Sequence, residues 1–462
     1  MSTVEVFIFL ALLFLVKEAK TEENEQYLLF MKSPTTMSPA GNCTFSQHDS
    51  NSFTSRCLNS SLFALGLTNS TIRSSKLNLT VGFTYQFELL DCFLSPHDCD
   101  SGETERSIRA FLNACEELKV PCGITLDPYQ FWYESNLWNW FDPETEGYDP
   151  KNIENVEWTN FSNTSATSIS VRVKTTTTTT KITHYQKFSN KKQWRNWGSQ
   201  FRMPTPQPNI ASPQLLEKVA KGIEDAVNAV KSWYETSKYR DLLVSLKIAE
   251  ELDVGANFYY YPEGNSYRTK SPDNDPKYGP DWSQGLSGGL EPIGFNMLRT
   301  LKLRVDGGPP TRDEIKIGVQ RYFNTSLQAA LKVWPELIDL DILFTHGGLC
   351  GDHLIPWASA MVDPSSPAYS FYLSKSKSPL DGNAELIQRL TSYDPTRKRF
   401  AVGEYFCTDC ARNSTQDWLD SLNNVFLVHN ETFFVRFVSV YNLTPFASSS
   451  GALNALHQFL SL

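Results

Sequence analysis

Short apolar runs alternate along most of the chain with stretches whose apolar positions recur every three or four residues. Leu77–Phe87 is strand-like, and Glu103–Leu118 puts Ile108, Phe111, Leu112, Cys115 and Leu118 on one helical face. Val120–Leu126 reads as a second strand, ending in Asp127, and Arg195–Met203 as a third. Pro213–Glu235 is a helix with Leu215, Leu216, Val219, Ile223, Ala226 and Val230 on one side, and Leu242–Ala249 is the fourth strand. Thr311–Leu331 is a helix with a threonine cap and acidic residues in its first turn. Strands at Ile338–Thr345, Ala368–Leu373, Arg399–Gly403 and Phe433–Val440 complete the set. Helices fall at Asn383–Leu390, at Thr415–Leu427 and at the C-terminal Gly451–Leu462.

Strands and helices in this order predict an α/β fold, a (β/α)8 TIM barrel with long βα loops and an N-terminal extension. A site would then lie at the C-terminal ends of the strands. A doubly wound sheet is the alternative, but no Gly-x-Gly-x-x-Gly follows an early strand to mark a dinucleotide site. Asp127–Ser170 is a long loop carrying Phe131, Trp132, Tyr133, Trp138, Trp140 and Phe141, suited to the wall of a cleft. Val171–Gln193 is basic, contains six consecutive threonines and has almost nothing to bury. It reads either as a glycan-bearing loop or as a retained intron in frame. Its removal would join Ser170 to Trp194 in Ile-Ser-Trp-Arg-Asn-Trp-Gly.

Other features set the compartment. Val6–Val16 is an apolar run too short to span a bilayer and suited to a signal peptide, so residues 1–20 are assigned to one. Residues 21–75, rich in Ser, Thr and Asn, read as a glycosylated extension, and 76–462 as the barrel with its insert at 171–193. Asn-x-Ser/Thr sequons stand at Asn42, Asn59, Asn69, Asn78, Asn160, Asn163, Asn324, Asn413, Asn430 and Asn442, which fits a secreted or lysosomal glycoprotein. No second apolar run approaches the length of a membrane span. Eight of the nine cysteines fall into local neighbours, so disulfides are expected, with Cys407-Thr-Asp-Cys410 as a structural bridge. A net charge of −9 without a long basic stretch argues against nucleic acid as ligand. The 11 Trp, 19 Tyr and 29 Phe exceed what a core needs and suit sugar stacking.

Glu250 and Glu251 end the fourth strand of this count, and Glu404 ends the seventh in Phe-Ala-Val-Gly-Glu-Tyr-Phe. Two carboxylates facing each other across a barrel mouth, about 5–5.5 Å apart, are what a retaining glycosidase uses. Adjacent side chains on a strand point opposite ways, so at most one of the two neighbours faces the cleft, and Glu251 is assigned as acid/base with Glu404 as nucleophile. Asp127, Asn196, Trp197, Tyr260 and His346 are candidates for substrate binding. All but Asn196 also have a structural reading: a turn cap for Asp127, packing for the rings, a satisfied buried imidazole for His346. No metal or cofactor is expected: there is no Walker-type loop, and neither a second Cys-x-x-Cys nor a His pair at ligand spacing accompanies Cys407 and Cys410.

Four stretches carry a resemblance: Asn155-Val-Glu-Trp-Thr159, Trp194-Arg-Asn-Trp-Gly-Ser-Gln200, Val254-Gly-Ala-Asn-Phe-Tyr-Tyr-Tyr-Pro-Glu-Gly-Asn265 and Phe344-Thr-His-Gly-Gly348. From about Leu77 onward the chain resembles a little-characterised family of secreted barrel proteins and, more loosely, glycoside hydrolase clan A. The clan resemblance implies an acid/base glutamate at the end of strand four and a nucleophile at the end of strand seven. In the clan the acid/base follows an asparagine, whereas Glu251 follows Glu250. The expected function is therefore secreted retaining glycoside hydrolysis of a carbohydrate substrate. The alternatives are a catalytically inactive barrel that binds glycans in its aromatic cleft, and a secreted interaction protein.

Overall fold

The computed structural model describes residues 25–32, 45–47, 49–74, 76–89, 101–128, 141–142, 147–148, 154–158, 161, 193–196, 200–202, 208–249, 252, 258–260, 294–308, 310–349, 360–381, 383–392, 399–426, 433–441 and 443–461. Eight parallel strands form a closed barrel: β1 (Gln26–Lys32), β2 (Leu79–Glu88), β3 (Cys122–Asp127), β4 (Leu243–Lys247), β5 (Leu343–Leu349), β6 (Ser366–Leu373), β7 (Arg399–Cys407) and β8 (Phe434–Val440). Closure comes from β1, which pairs with β2 on one side and β8 on the other. Around the barrel run α1 (Ser55–Ala64), α2 (Ser101–Leu118), α3 (Pro213–Thr236), α4 (Phe295–Thr300), α5 (Arg312–Val333), α6 (Ala384–Ser392), α7 (Thr415–Phe426), α8 (Leu443–Ala447) and α9 (Ser450–Ser461). The threonine cap of α5 is present as a capping box between Thr311 and Glu314.

Two strand assignments change. The first barrel strand lies inside the segment assigned to an extension. Tyr27-Leu-Leu-Phe-Met31 is a continuous apolar run because both faces of a barrel strand are covered. Leu28 and Phe30 pack outward with the helices, while Tyr27 and Leu29 join the interior. Phe45, Phe53, Leu58 and Leu62 likewise belong to the core, with the Phe53 ring edge-on to Tyr85 at 4.7 Å. Arg195–Met203, by contrast, is not a barrel strand. Gln193–Asn196 and Gln200–Arg202 pair antiparallel with each other, and the first also pairs with Phe258–Tyr260. Two antiparallel strands cannot serve as one parallel stave. One strand gained and one lost leave the count unchanged from β4 onward.

The barrel interior is graded along its axis. Tyr27, Leu29, Val244, Phe344, Ala368, Ala401 and Phe437 form an apolar plug, with the Phe344 and Phe437 rings edge-on at 4.8 Å. Two residues further along β5, β6 and β7 the same inward row reads His346, Ser370 and Gly403. The interior thus turns polar toward the C-terminal ends of the strands, the face that hosts sites in such barrels.

The connections after β3 and β4 are tied to each other near their downstream ends. Asn209 Nδ2 donates to Glu154 O at 3.0 Å and to Thr300 Oγ1 at 2.8 Å. Asn296 Nδ2 donates to Val156 O at 2.7 Å. Glu157, fully buried, accepts the Gly294 N–H at 3.0 Å at the start of α4. Burial pushes its carboxyl up to about 8, against the lowering effect of the amides of Gly294, Trp158, Asn296 and Met297. Outside this clasp Arg299 pairs with Glu154 at 2.7 Å and lies over the Trp158 ring.

Cys407 and Cys410 form a disulfide, and Cys57 is also disulfide-bonded. Cys115 and Cys122 correct the expectation of a bridge between neighbours: both are free, buried thiols. Burial, with Cys122 beside it, raises the Cys115 thiol well above its ordinary range, and Cys122 Sγ donates to Leu242 O at 3.3 Å. The sequon residues Asn59, Asn69, Asn78, Asn324 and Asn413 are all exposed; the other five, residues 1–24 and the insert up to residue 192 lie outside the described residues. Among the described residues, no helix is long and apolar enough to cross a membrane.

Candidate active site

Glu404 owes its position to an irregularity in β7. Along β6 the partners Tyr369 and Ser370 are consecutive, but on β7 they meet Val402 and Glu404. On the other side Val402 pairs with Val438 and Tyr405 with Val440, so β7 again carries one residue too many. This is a β-bulge at Gly403–Glu404. Strict alternation from Ala401 and Gly403 would turn Glu404 out toward the helices. The bulge returns it to the barrel, while Val402 and Tyr405 stay in the outer core.

The carboxylate is 1% exposed and held by two hydroxyls from the inward row of β6. Ser370 Oγ donates to Glu404 Oε2 at 3.1 Å, and the Tyr372 hydroxyl donates to the same oxygen. Behind Ser370 stands His346, whose Nε2 is 3.1 Å from the serine hydroxyl. His346 is thus connected to the Glu404 carboxylate through Ser370. Its ring also packs on Gly403, where a β-carbon would come within 2.8 Å of Nε2. On the opposite side of the interior Lys247, fully buried at the end of β4, donates from Nζ to Gly403 O at 2.9 Å. At the rim the half-buried Tyr372 ring meets the exposed Tyr441 edge-on at 5.8 Å.

Asp127 ends β3 with 1% exposure, register-paired with Glu88, and accepts from Gln86 Nε2 at 2.8 Å. Asn196 and Tyr260 share the three-stranded sheet that joins the two long connections. Glu250, Glu251 and Trp197 lie outside the described residues. The ladder of β4 does extend past its last strand residue: Ile248 N donates to Phe344 O at 3.0 Å, and His346 N donates to Ala249 O at 2.9 Å. The described rings of the Asp127–Ser170 loop, Trp158 and Phe161, are buried.

Ser370, Tyr372, Gly403 and Lys247 were not among the sequence candidates. Ala368, Ser370 and Tyr372 share one face by period-two alternation, and a lysine in Leu-Val-Ser-Leu-Lys is anomalous for a buried strand. Those two signals are readable in the sequence. The bulge is not, because it is defined only by partner strands. Among the described residues the one cluster with metal-ligand spacing is Cys407, Asp409 and Cys410, whose two sulfurs are bonded to each other.

No family model matches the chain, and no curated protein matches it. Among solved structures the chain is similar to a β-mannanase from the blue mussel Mytilus edulis, with 11% identity over 94% of this chain and 92% of that one and a TM-score of 0.39. It is also similar to an exo-β-agarase, with 11% identity over 56% of this chain and 40% of that one and a TM-score of 0.29. Both neighbours are glycoside hydrolases, and at these scores they add nothing to the barrel already established by strand pairing.

Proposed function

We propose that the protein is a secreted retaining glycoside hydrolase in which Glu404 is the nucleophile and Glu251 the acid/base. The observation that carries this reading is Glu404 itself: a carboxylate aimed by a bulge into the polar end of the barrel and held by Tyr372 and Ser370. A β-bulge that re-aims a side chain into the barrel, with two hydroxyls fixing one of its oxygens, suits attack on carbon. Support for Glu251 is positional, since it follows Ala249, whose carbonyl is the last described rung of the β4 ladder.

In the first step a Glu404 oxygen bonds to the anomeric carbon as the bond to the leaving oxygen breaks, and the Glu251 proton passes to that oxygen. In the second, Glu251 takes a proton from water, whose oxygen displaces Glu404 and restores both carboxyls. Asp127, Asn196, Trp197 and Tyr260 are assigned to sugar hydroxyls and stacking, and exposed Tyr441 joins them at the rim beside Tyr372. No step calls on a metal or cofactor.

The test is turnover of a panel of 4-nitrophenyl α- and β-glycosides by wild type, Glu251→Gln and Glu404→Gln. Turnover by wild type, lowered about a thousandfold or more in each variant, is expected. Equal turnover by all three overturns the assignment. Saturable glycan binding with no turnover favours the inactive glycan-binding barrel.

A further inference from the structure

We infer that Lys247 is a positioning residue for Glu404: from the end of β4 it clamps the bulge of β7 and so fixes the direction in which the carboxylate points. The inference shares the reading of Glu404 as nucleophile for its effect on turnover, but its geometric content stands apart from that reading.

Lys247 is fully buried in a strand whose neighbours Leu243, Val244 and Leu246 are apolar. An ammonium inside a barrel is costly to desolvate and is retained only where its hydrogen bonds compensate. As mere filling, methionine would serve the position better. The described acceptor is Gly403 O at 2.9 Å, the carbonyl of the first bulge residue. A bulge leaves a backbone group of the extra residue outside the ladder, and such a group needs a partner when buried. Lys247 supplies one from three strands away.

The bulge is gripped from two sides. Lys247 holds the Gly403 carbonyl, and the His346 ring leaves no room for a side chain at Gly403. The residue between these two contacts and the Tyr372 and Ser370 bonds is Glu404, so its carboxylate is fixed at the backbone as well as at its tip. The clamp also joins the ends of the two strands on which the proposed carboxylates stand. A positive charge one peptide away favours the ionised carboxylate a nucleophile requires. Loss of this placement resembles an ångström-scale displacement of a reacting group, which lowers rates about a hundredfold.

The experiment compares the full-length wild type with Lys247→Met and Lys247→Gln, the second keeping a donor without the charge and serving if the first fails to fold. Hydrogen–deuterium exchange is followed in the peptide 399–407, and turnover is followed with whichever 4-nitrophenyl glycoside the wild type cleaves. For a folded variant, exchange at Glu404 and Tyr405 rises about tenfold while β1 and β8 are unchanged. The kcat falls about a hundredfold with KM within threefold. The acid limb of kcat/KM, set by Glu404 among Lys247, His346 and Tyr372, moves to higher pH. A role in packing alone would move the melting temperature without moving that limb. A folded variant whose exchange in 399–407 matches wild type overturns the inference, whatever its activity. If wild type cleaves no glycoside, the nucleophile reading fails, and exchange alone decides the clamp.

Discussion

The imidazole of His346 lies against Gly403 so closely that a β-carbon there would stand 2.8 Å from Nε2. The ring cannot retreat without losing its contact with Ser370, which in turn holds Glu404. Gly403→Ala therefore costs about 1–3 kcal/mol of stability through overpacking. It also lowers turnover more than that loss of stability explains. Chemical denaturation and kcat, measured on the same preparation, separate the two effects.

Tyr372→Phe removes the phenolic donor to Glu404 and keeps the ring against Tyr441. A hydrogen bond to a charged group contributes about 1.5–3 kcal/mol. The expected outcome is a loss of roughly ten- to a hundredfold in kcat, with a melting temperature close to that of wild type. A Tyr372→Phe variant as active as wild type would remove the phenol from the mechanism.

Tyr441→Ala acts on binding. The ring is exposed at the rim, edge-on to Tyr372, and is suited to stack on a sugar. Its loss raises KM about tenfold and leaves kcat within about threefold. Steady-state kinetics over a full substrate range distinguish this from a change in chemistry.

Glu157 makes stability depend on pH. Its carboxyl is pushed up to about 8 in the folded chain from an ordinary 4.5. The folded state therefore holds a proton that the unfolded state has released. The contribution is fully present below about pH 4.5 and is lost as the pH rises to about 8, by about 1.4 kcal/mol for each tenfold difference in proton affinity. Wild type melts at progressively lower temperature across that window. Glu157→Gln, which stays neutral, has a flatter profile. Parallel profiles for the two proteins would show that Glu157 does not drive the dependence.

Much of the fold was legible because a barrel strand followed by a helix leaves two clear periods in the sequence. Pro213–Thr236 and Arg312–Val333 match their predicted helices to within a few residues. Gln26–Lys32 escaped notice because a strand buried on both faces has no alternation, and its surroundings are rich in Ser, Thr and Asn. Arg195–Met203 misled because two short antiparallel strands in succession, Gln193–Asn196 and Gln200–Arg202, read as one run. Glu404 was legible as an acid after an apolar run, and His346 as a polar residue inside one. Their connection through Ser370, and the bulge that makes it, depend on the register of β6 against β7. Register is a property of paired strands, and one strand's sequence does not encode it.

The central claim is that Glu404 becomes covalently linked to the sugar during turnover. The direct measurement is peptide mass mapping of full-length protein treated with a 2-deoxy-2-fluoro glycosyl fluoride of the sugar that wild type cleaves. A fluoroglycosyl adduct on Glu404, missing from Glu404→Gln, is the predicted result. An adduct on another carboxylate, or equal labelling of Glu404→Gln, would contradict the account.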